Sequence, residues 1–142
     1  IGLNSRLDTL QASILLEKLK IFDKELKKRN EIADLYSTLL KDSFSLQYVS
    51  RESVSSWAQF SLLADNENKR KLILDKLNSK NIPAVIYYSI PLHLQLAFKN
   101  LDYKIGDLPH SEDIAKRIFS IPMHPYLSNS EINKIVEVLI HE

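Results

Sequence analysis

The sequence predicts an α/β domain: one long N-terminal amphipathic helix, then a small antiparallel or mixed sheet packed with shorter helices. Three observations carry that reading. Apolar residues from Leu15 to Leu40 recur in steps of three and four, as one face of a helix requires. Two runs, Phe44–Tyr48 and Ser55–Leu63, alternate in the two-residue period of a half-buried strand. Prolines at 83, 91, 109, 122 and 125 confine helices to the intervals between them.

The first helix is expected from about Asp8 to Lys41, with Leu15, Leu19, Phe22, Leu26, Ala33, Tyr36 and Leu40 along one stripe. Ser5 is the expected N-cap, with Asp8 three residues on as a variant capping box. No Pro or Gly breaks the run, and at 1.5 Å per residue it would span roughly 50 Å. Ile14, Leu16, Ile21 and Ile32 widen the apolar face beyond a coiled-coil seam, which favours a helix bridging two bodies. Asp65 and Asn66 cap a helix from about Glu67 to Lys80, with Leu72, Ile73 and Leu77 inward and Asn81 as a left-handed stop. After Pro83, Ala84–Tyr88 is a further expected strand. A short helix is expected over Ser111–Arg117, and Ile121–Leu127 reads as a loop with an extended start. Ser128-x-x-Glu131 is a capping box for a last helix to about Ile140, with Ile132, Ile135, Val136 and Leu139 inward.

Composition narrows the function classes. The 142 residues fit one core, 44% are hydrophobic and 26% charged, and the formal net charge is +1. That balance, without a basic stripe, gives no reason to expect nucleic acid. No apolar run approaches the roughly 18 residues that cross a bilayer, so no membrane partner is expected. The absence of Cys excludes disulfides and thiolate zinc sites and is compatible with a cytoplasmic home. The chain opens on Ile rather than Met and reads as part of a longer polypeptide.

Chemistry-bearing residues are few. Asn4 and Arg6 precede the first helix, where unpaired amides and the macrodipole favour an anion; an ordinary cap is the competing reading. His93 and His124 each lie near a Pro in a loop after an extended stretch, where binding residues collect; local loop hydrogen bonding explains them equally well. No two of the four His have metal-ligand spacing, so no metal site is expected. Ser56 and Ser111 lack a nucleophile context. Trp57, Tyr87 and Tyr88 fit core and edge positions better than a stacking platform. No complete catalytic set is present.

Four blocks, in order, resemble the C-terminal portion of the DegT/DnrJ/EryC1/StrS family of sugar aminotransferases. They are Gly2-x-Asn4-x-Arg6-x-Asp8-x-Leu10-Gln11-Ala12, Ser56-Trp57-Ala58-Gln59-Phe60, Tyr87-Tyr88-Ser89-Ile90-Pro91-Leu92-His93-Leu94-Gln95, and Ile121-Pro122-Met123-His124-Pro125-Tyr126-Leu127. Together they cover nearly the whole chain; Ser89 departs from the Pro that many members carry.

The resemblance implies an aspartate-aminotransferase-like enzyme (fold type I) that uses pyridoxal 5′-phosphate (PLP). Residues 1–42 would be an interface segment and bridging helix, and residues 43–142 the small C-terminal α/β domain. It implies a homodimer with the active site at the interface, and transfer of an amino group from glutamate to a nucleotide-linked keto-sugar for surface polysaccharide. The catalytic lysine would lie outside this chain, leaving the chain alone inactive. Asn4 would bind the PLP phosphate, Arg6 and His93 the nucleotide-sugar, and Tyr88 and His124 would line the site or hold its loops. Two alternatives accompany it: a PLP-dependent sugar dehydratase of the same family, and a non-catalytic nucleotide-sugar-binding or dimerisation module.

Overall fold

A computed structural model describes residues 5–141. The amphipathic N-terminal run forms two helices, α1 (Thr9–Leu19) and α2 (Phe22–Leu40), rather than the single expected one. At 1.5 Å per residue they measure about 16 and 28 Å. The break falls at Lys20–Ile21, where Ile21 has φ −115° and ψ 0° and its amide donates to the Lys18 carbonyl at 3.1 Å. No helix-breaking residue causes it. The turn is instead spanned by tertiary bonds: Lys18 Nζ meets Glu25 Oε1 at 2.6 Å, and the same Glu25 oxygen accepts from the Tyr126 hydroxyl. The N-cap is Asp8, one turn later than Ser5, and Asp8 with Gln11 closes the capping box. Asp8 Oδ1 accepts from the Gln11 amide at 2.8 Å.

The sheet is three antiparallel strands in the order β1 (Ser45–Leu46), β2 (Phe60–Leu63), β3 (Ile118–Ile121). Both expected strands are shorter than their alternating runs. Residues 55–59 stay out of the ladder because their backbone bonds to α2 instead. Arg29 Nη1 donates to the Trp57 carbonyl at 2.9 Å and Asn30 Nδ2 to the Ser55 carbonyl at 3.2 Å. Trp57 itself adopts φ 45°, which no strand tolerates. β2 is also buried on both faces rather than one, with Ser61 Oγ bonding Ser120 Oγ at 2.8 Å across to β3.

The expected strand at Ala84–Tyr88 is reduced to one bridge, in which Val85 and Ser120 exchange amide bonds at 3.0 and 2.7 Å. The third strand is β3 instead, formed just ahead of Pro122, where the proline ends pairing without preventing it.

Helix α3 (Glu67–Ser79) is capped by Asn66 and followed by Asn81 at φ 56°, as expected. Its inward stripe is Arg70, Ile73 and Leu77, whereas Leu72 is exposed, since it lies about 100° around the helix from Ile73. Arg70 Nη1 donates to the Ala115 carbonyl at 2.7 Å and so ties α3 to α4 (Pro109–Arg117). Helix α5 (Asn129–Ile140) begins with the expected Ser128–Glu131 capping box and buries Ile132, Ile135 and Val136, with Leu139 partly buried. Between residues 91 and 102 the chain makes two 3₁₀ turns, Leu92–Leu94 and Leu96–Leu101.

The core gathers the C-terminal half of α2, strands β2 and β3, and helices α3 and α5. Tyr36, Phe60 and Phe119 are its largest fully buried side chains. Tyr36 stacks obliquely on Phe60 at 5.1 Å and donates its hydroxyl to the Pro122 carbonyl at 3.1 Å. Burial pushes its ionisation well above the ordinary phenol range. No helix among the described residues is long and apolar enough to cross a membrane.

Candidate functional site

The segment after the Val85 bridge leaves the sheet, passes through Tyr87 and Tyr88, and turns at Pro91 into the 3₁₀ turn that carries His93. Pro91 suits the first turn, because its φ of −58° is fixed by the ring. The chain then runs through the second 3₁₀ turn, reverses at Asp102 with φ 56°, and enters α4 with Pro109 in its first turn. These segments enclose a cleft of about 820 Å³ whose walls include Tyr88, His93, Phe98, Tyr103 and Ile114. The wall is largely apolar, with a few polar groups converging in it, as small-molecule sites are.

His93 is the polar centre of that cleft. Its side chain is 5% exposed, and Nε2 lies 3.2 Å from Glu112 Oε1, on the first turn of α4. The same oxygen accepts from the Gly106 amide at 2.8 Å and the Leu108 amide at 3.4 Å. The Gly106 amide above all, with His93 and the Leu108 amide adding to it, holds the Glu112 carboxyl below its usual range. Tyr103 meets the His93 ring edge-on, with centroids 5.9 Å apart.

Of the site residues expected from the resemblance, Tyr88 and His93 share this cleft. His124 is exposed in the loop after β3, where Nδ1 accepts from the Tyr126 amide at 3.3 Å; it does not line the cleft. Arg6 is exposed ahead of α1 and lies outside the cleft wall. Asn4 falls outside the described residues. At the described end of that helix start, Asp8 is the N-cap and its carboxylate accepts from the Gln11 amide; the anion site expected there includes Asn4 and so lies partly outside the described residues. No cluster of metal-ligating side chains occurs among the described residues.

Sequence reasoning missed Glu112, Tyr103 and Arg29. Glu112 carried one signal, an acid in the first turn of a helix begun by Pro109, but its partner His93 is 19 residues away. Arg29 interrupts the apolar stripe of α2 because it reaches outward, to the Trp57 carbonyl and to the Met123 carbonyl at 3.2 Å. It thereby fastens two of the four resemblance blocks to one helix.

The family model of the DegT/DnrJ/EryC1/StrS aminotransferase family matches residues 1–140, and the chain belongs to that family. Among its relatives is the UDP-2-acetamido-2-deoxy-3-oxo-D-glucuronate aminotransferase of Pseudomonas aeruginosa, 36% identical over 140 residues, covering 98% of this chain and 37% of the relative. The fold is similar to that of a DegT DnrJ EryC1 StrS aminotransferase from Brucella abortus. The TM-score there is 0.86 at 45% identity, covering 98% of this chain and 36% of that one. It is similar also to NtdA from Bacillus subtilis, solved with bound cofactor PMP (the amino form of PLP). That TM-score is 0.82 at 29% identity, covering 99% of this chain and 33% of that one. The chain thus spans about a third of the length of these relatives.

Proposed function

We propose that this chain is the small-domain portion of a PLP-dependent aminotransferase that moves an amino group from glutamate to a nucleotide-linked keto-sugar. Family membership across residues 1–140 carries the reading, and the cleft holding Tyr88 and His93 supplies a site for the sugar end of the substrate. PLP, when bound, supplies the electron sink for transamination. Its catalytic lysine and most of its binding groups belong to the remainder of the enzyme, with Asn4 reaching the phosphate. Residues of this chain bind and orient the sugar: Arg6 by charge-assisted bonds to its phosphates or carboxylate, His93 and Tyr88 from the cleft wall, and His124 through its loop. Residues 1–42 form the connection between large and small domains, and residues 43–142 the small domain.

The exposed apolar face of α1, with Leu10, Ile14, Leu16 and Leu19 each more than 60% exposed, packs on the large domain in this reading. The active enzyme is a homodimer in the cytoplasm, and its product enters surface-polysaccharide synthesis. The 142-residue chain by itself is inactive.

The test is the visible spectrum of the full-length enzyme with PLP, before and after glutamate. Conversion of the lysine-bound PLP band to that of PMP supports the reading. PLP binding without that band points to a dehydratase, and failure to bind PLP overturns the reading in favour of a binding module. Arg6→Ala is expected to raise KM for the nucleotide-sugar without changing chemical stability; an unchanged KM removes Arg6 from the site.

A further inference from the structure

The Glu112–His93 contact determines more than the shape of the cleft. A carboxylate accepts and never donates, so an ionised Glu112 requires the hydrogen on His93 Nε2. Three donors converge on the one Oε1 atom: the imidazole and the amides of Gly106 and Leu108. This anchors the carboxylate independently of the histidine. Tyr103 restricts the ring from its edge at 5.9 Å. With Nε2 engaged, Nδ1 has no partner among the described residues. No fully buried side-chain polar atom among them lacks a partner, so Nδ1 is not sealed off, and His93 is one of the residues that line the cleft.

We propose that Glu112 is the positioning residue for His93: it fixes the imidazole in its Nε2–H form and leaves Nδ1 in the cleft as an acceptor for a sugar hydroxyl. The ligand chemistry follows from the wall. An acceptor nitrogen presented to a cleft that Phe98, Tyr103 and Ile114 also line is satisfied by a hydroxyl donor on a ring whose remaining surface is apolar enough to lie against them. Were the ring free to present Nδ1–H instead, the same position would offer a donor and favour a carbonyl or carboxylate. Glu112 thereby selects which face of the sugar chemistry the cleft recognises. This rests on the reading that His93 faces the sugar, and the experiment separates the two.

The experiment uses the full-length enzyme with ¹⁵N-labelled histidine, the His93 signals being identified by their loss in His93→Ala. The expected native signature is Nδ1 unprotonated and Nε2 protonated; a ring protonated at both nitrogens makes Nδ1 a donor and overturns the acceptor role. Glu112→Ala shifts His93 toward the other tautomer and raises KM for the nucleotide-sugar roughly tenfold, the scale of one well-made hydrogen bond, with KM for glutamate unchanged. Glu112→Gln, whose Oε1 still accepts from Gly106, Leu108 and His93, keeps the native tautomer and most of the affinity. In the His93→Ala background, Glu112→Ala adds no further rise in KM, because the carboxylate acts through the ring. An unchanged His93 tautomer in a folded Glu112→Ala enzyme overturns the positioning role whatever happens to KM. A tautomer that shifts as expected while His93→Ala leaves KM for the sugar untouched supports the positioning and overturns the substrate contact.

Discussion

Helix α1 and the C-terminal half of α2 belong to one amphipathic run of sequence, yet they meet opposite fates. α1 buries no residue, and Leu10 remains 78% exposed. α2 buries Ile32, Ala33, Tyr36 and Leu40 against the sheet and α5. The apolar stripe alone does not distinguish them. What separates them is whether this chain brings an opposing apolar surface: α2 meets β2, β3 and α5, and α1 meets none among the described residues. Amphipathic periodicity reports that a helix will be covered, not by what.

The comparison is broken most severely from the α2 side. Leu40→Ala, at a fully buried position, is expected to destabilise the chain by about 2–5 kcal/mol, read by chemical denaturation. Next is Arg29→Ala, which leaves the part-buried carbonyls of Trp57 and Met123 without their donor. A loss of roughly 1–3 kcal/mol is expected, with the Trp57 fluorescence changing before the global transition. Ser128→Ala removes the α5 cap and should cost about 1 kcal/mol without altering the α1 region.

Acid sharpens the contrast further. The folded-state ionisation of Glu25 is lowered by Lys18 and then Tyr126, and that of Glu112 chiefly by the Gly106 amide. Their contributions are therefore complete above the ordinary carboxylate range and disappear as pH falls through the lowered folded values. As pH falls below the ordinary carboxylate range, Glu25→Gln should flatten part of the acid-induced loss measured by denaturation, and the α1–α2 elbow should loosen first in hydrogen exchange. The smallest effect belongs to α1 itself: Leu16→Gln in the 142-residue chain should change stability by no more than about 0.5 kcal/mol. In the full-length enzyme the same substitution is expected to be clearly destabilising. Equal effects in the two contexts would remove the proposed large-domain packing of α1.

Elements specified by neighbouring residues were legible in the sequence. The caps at Asn66 and Ser128, the left-handed Asn81 and the inward stripe of α5 depend on residues three or four positions apart. Features specified by distant partners were not. The elbow at Ile21 depends on Tyr126 in the loop after β3, and the shortening of β2 depends on Arg29 and Asn30 capturing its approach. The Ala84–Tyr88 run has strand composition but a partner for Val85 alone. The site divides the same way. His93 stood out by type and by its setting near Pro91, and Tyr88 only through the resemblance, whereas Glu112 becomes significant only once the loop through Gly106 brings it to the imidazole.

The single Val85 bridge has a consequence for how this chain behaves among its own copies. It occupies the outer rim of β3 at Ser120, while the opposite rim of the sheet is a strand of two residues. Among the described residues, neither rim offers a long run of vacant amides and carbonyls on which a stray polypeptide could template itself, the usual route to fibrous self-association. A sheet fenced in this way at both margins gives the sticky helical surface around it little backbone from which to propagate.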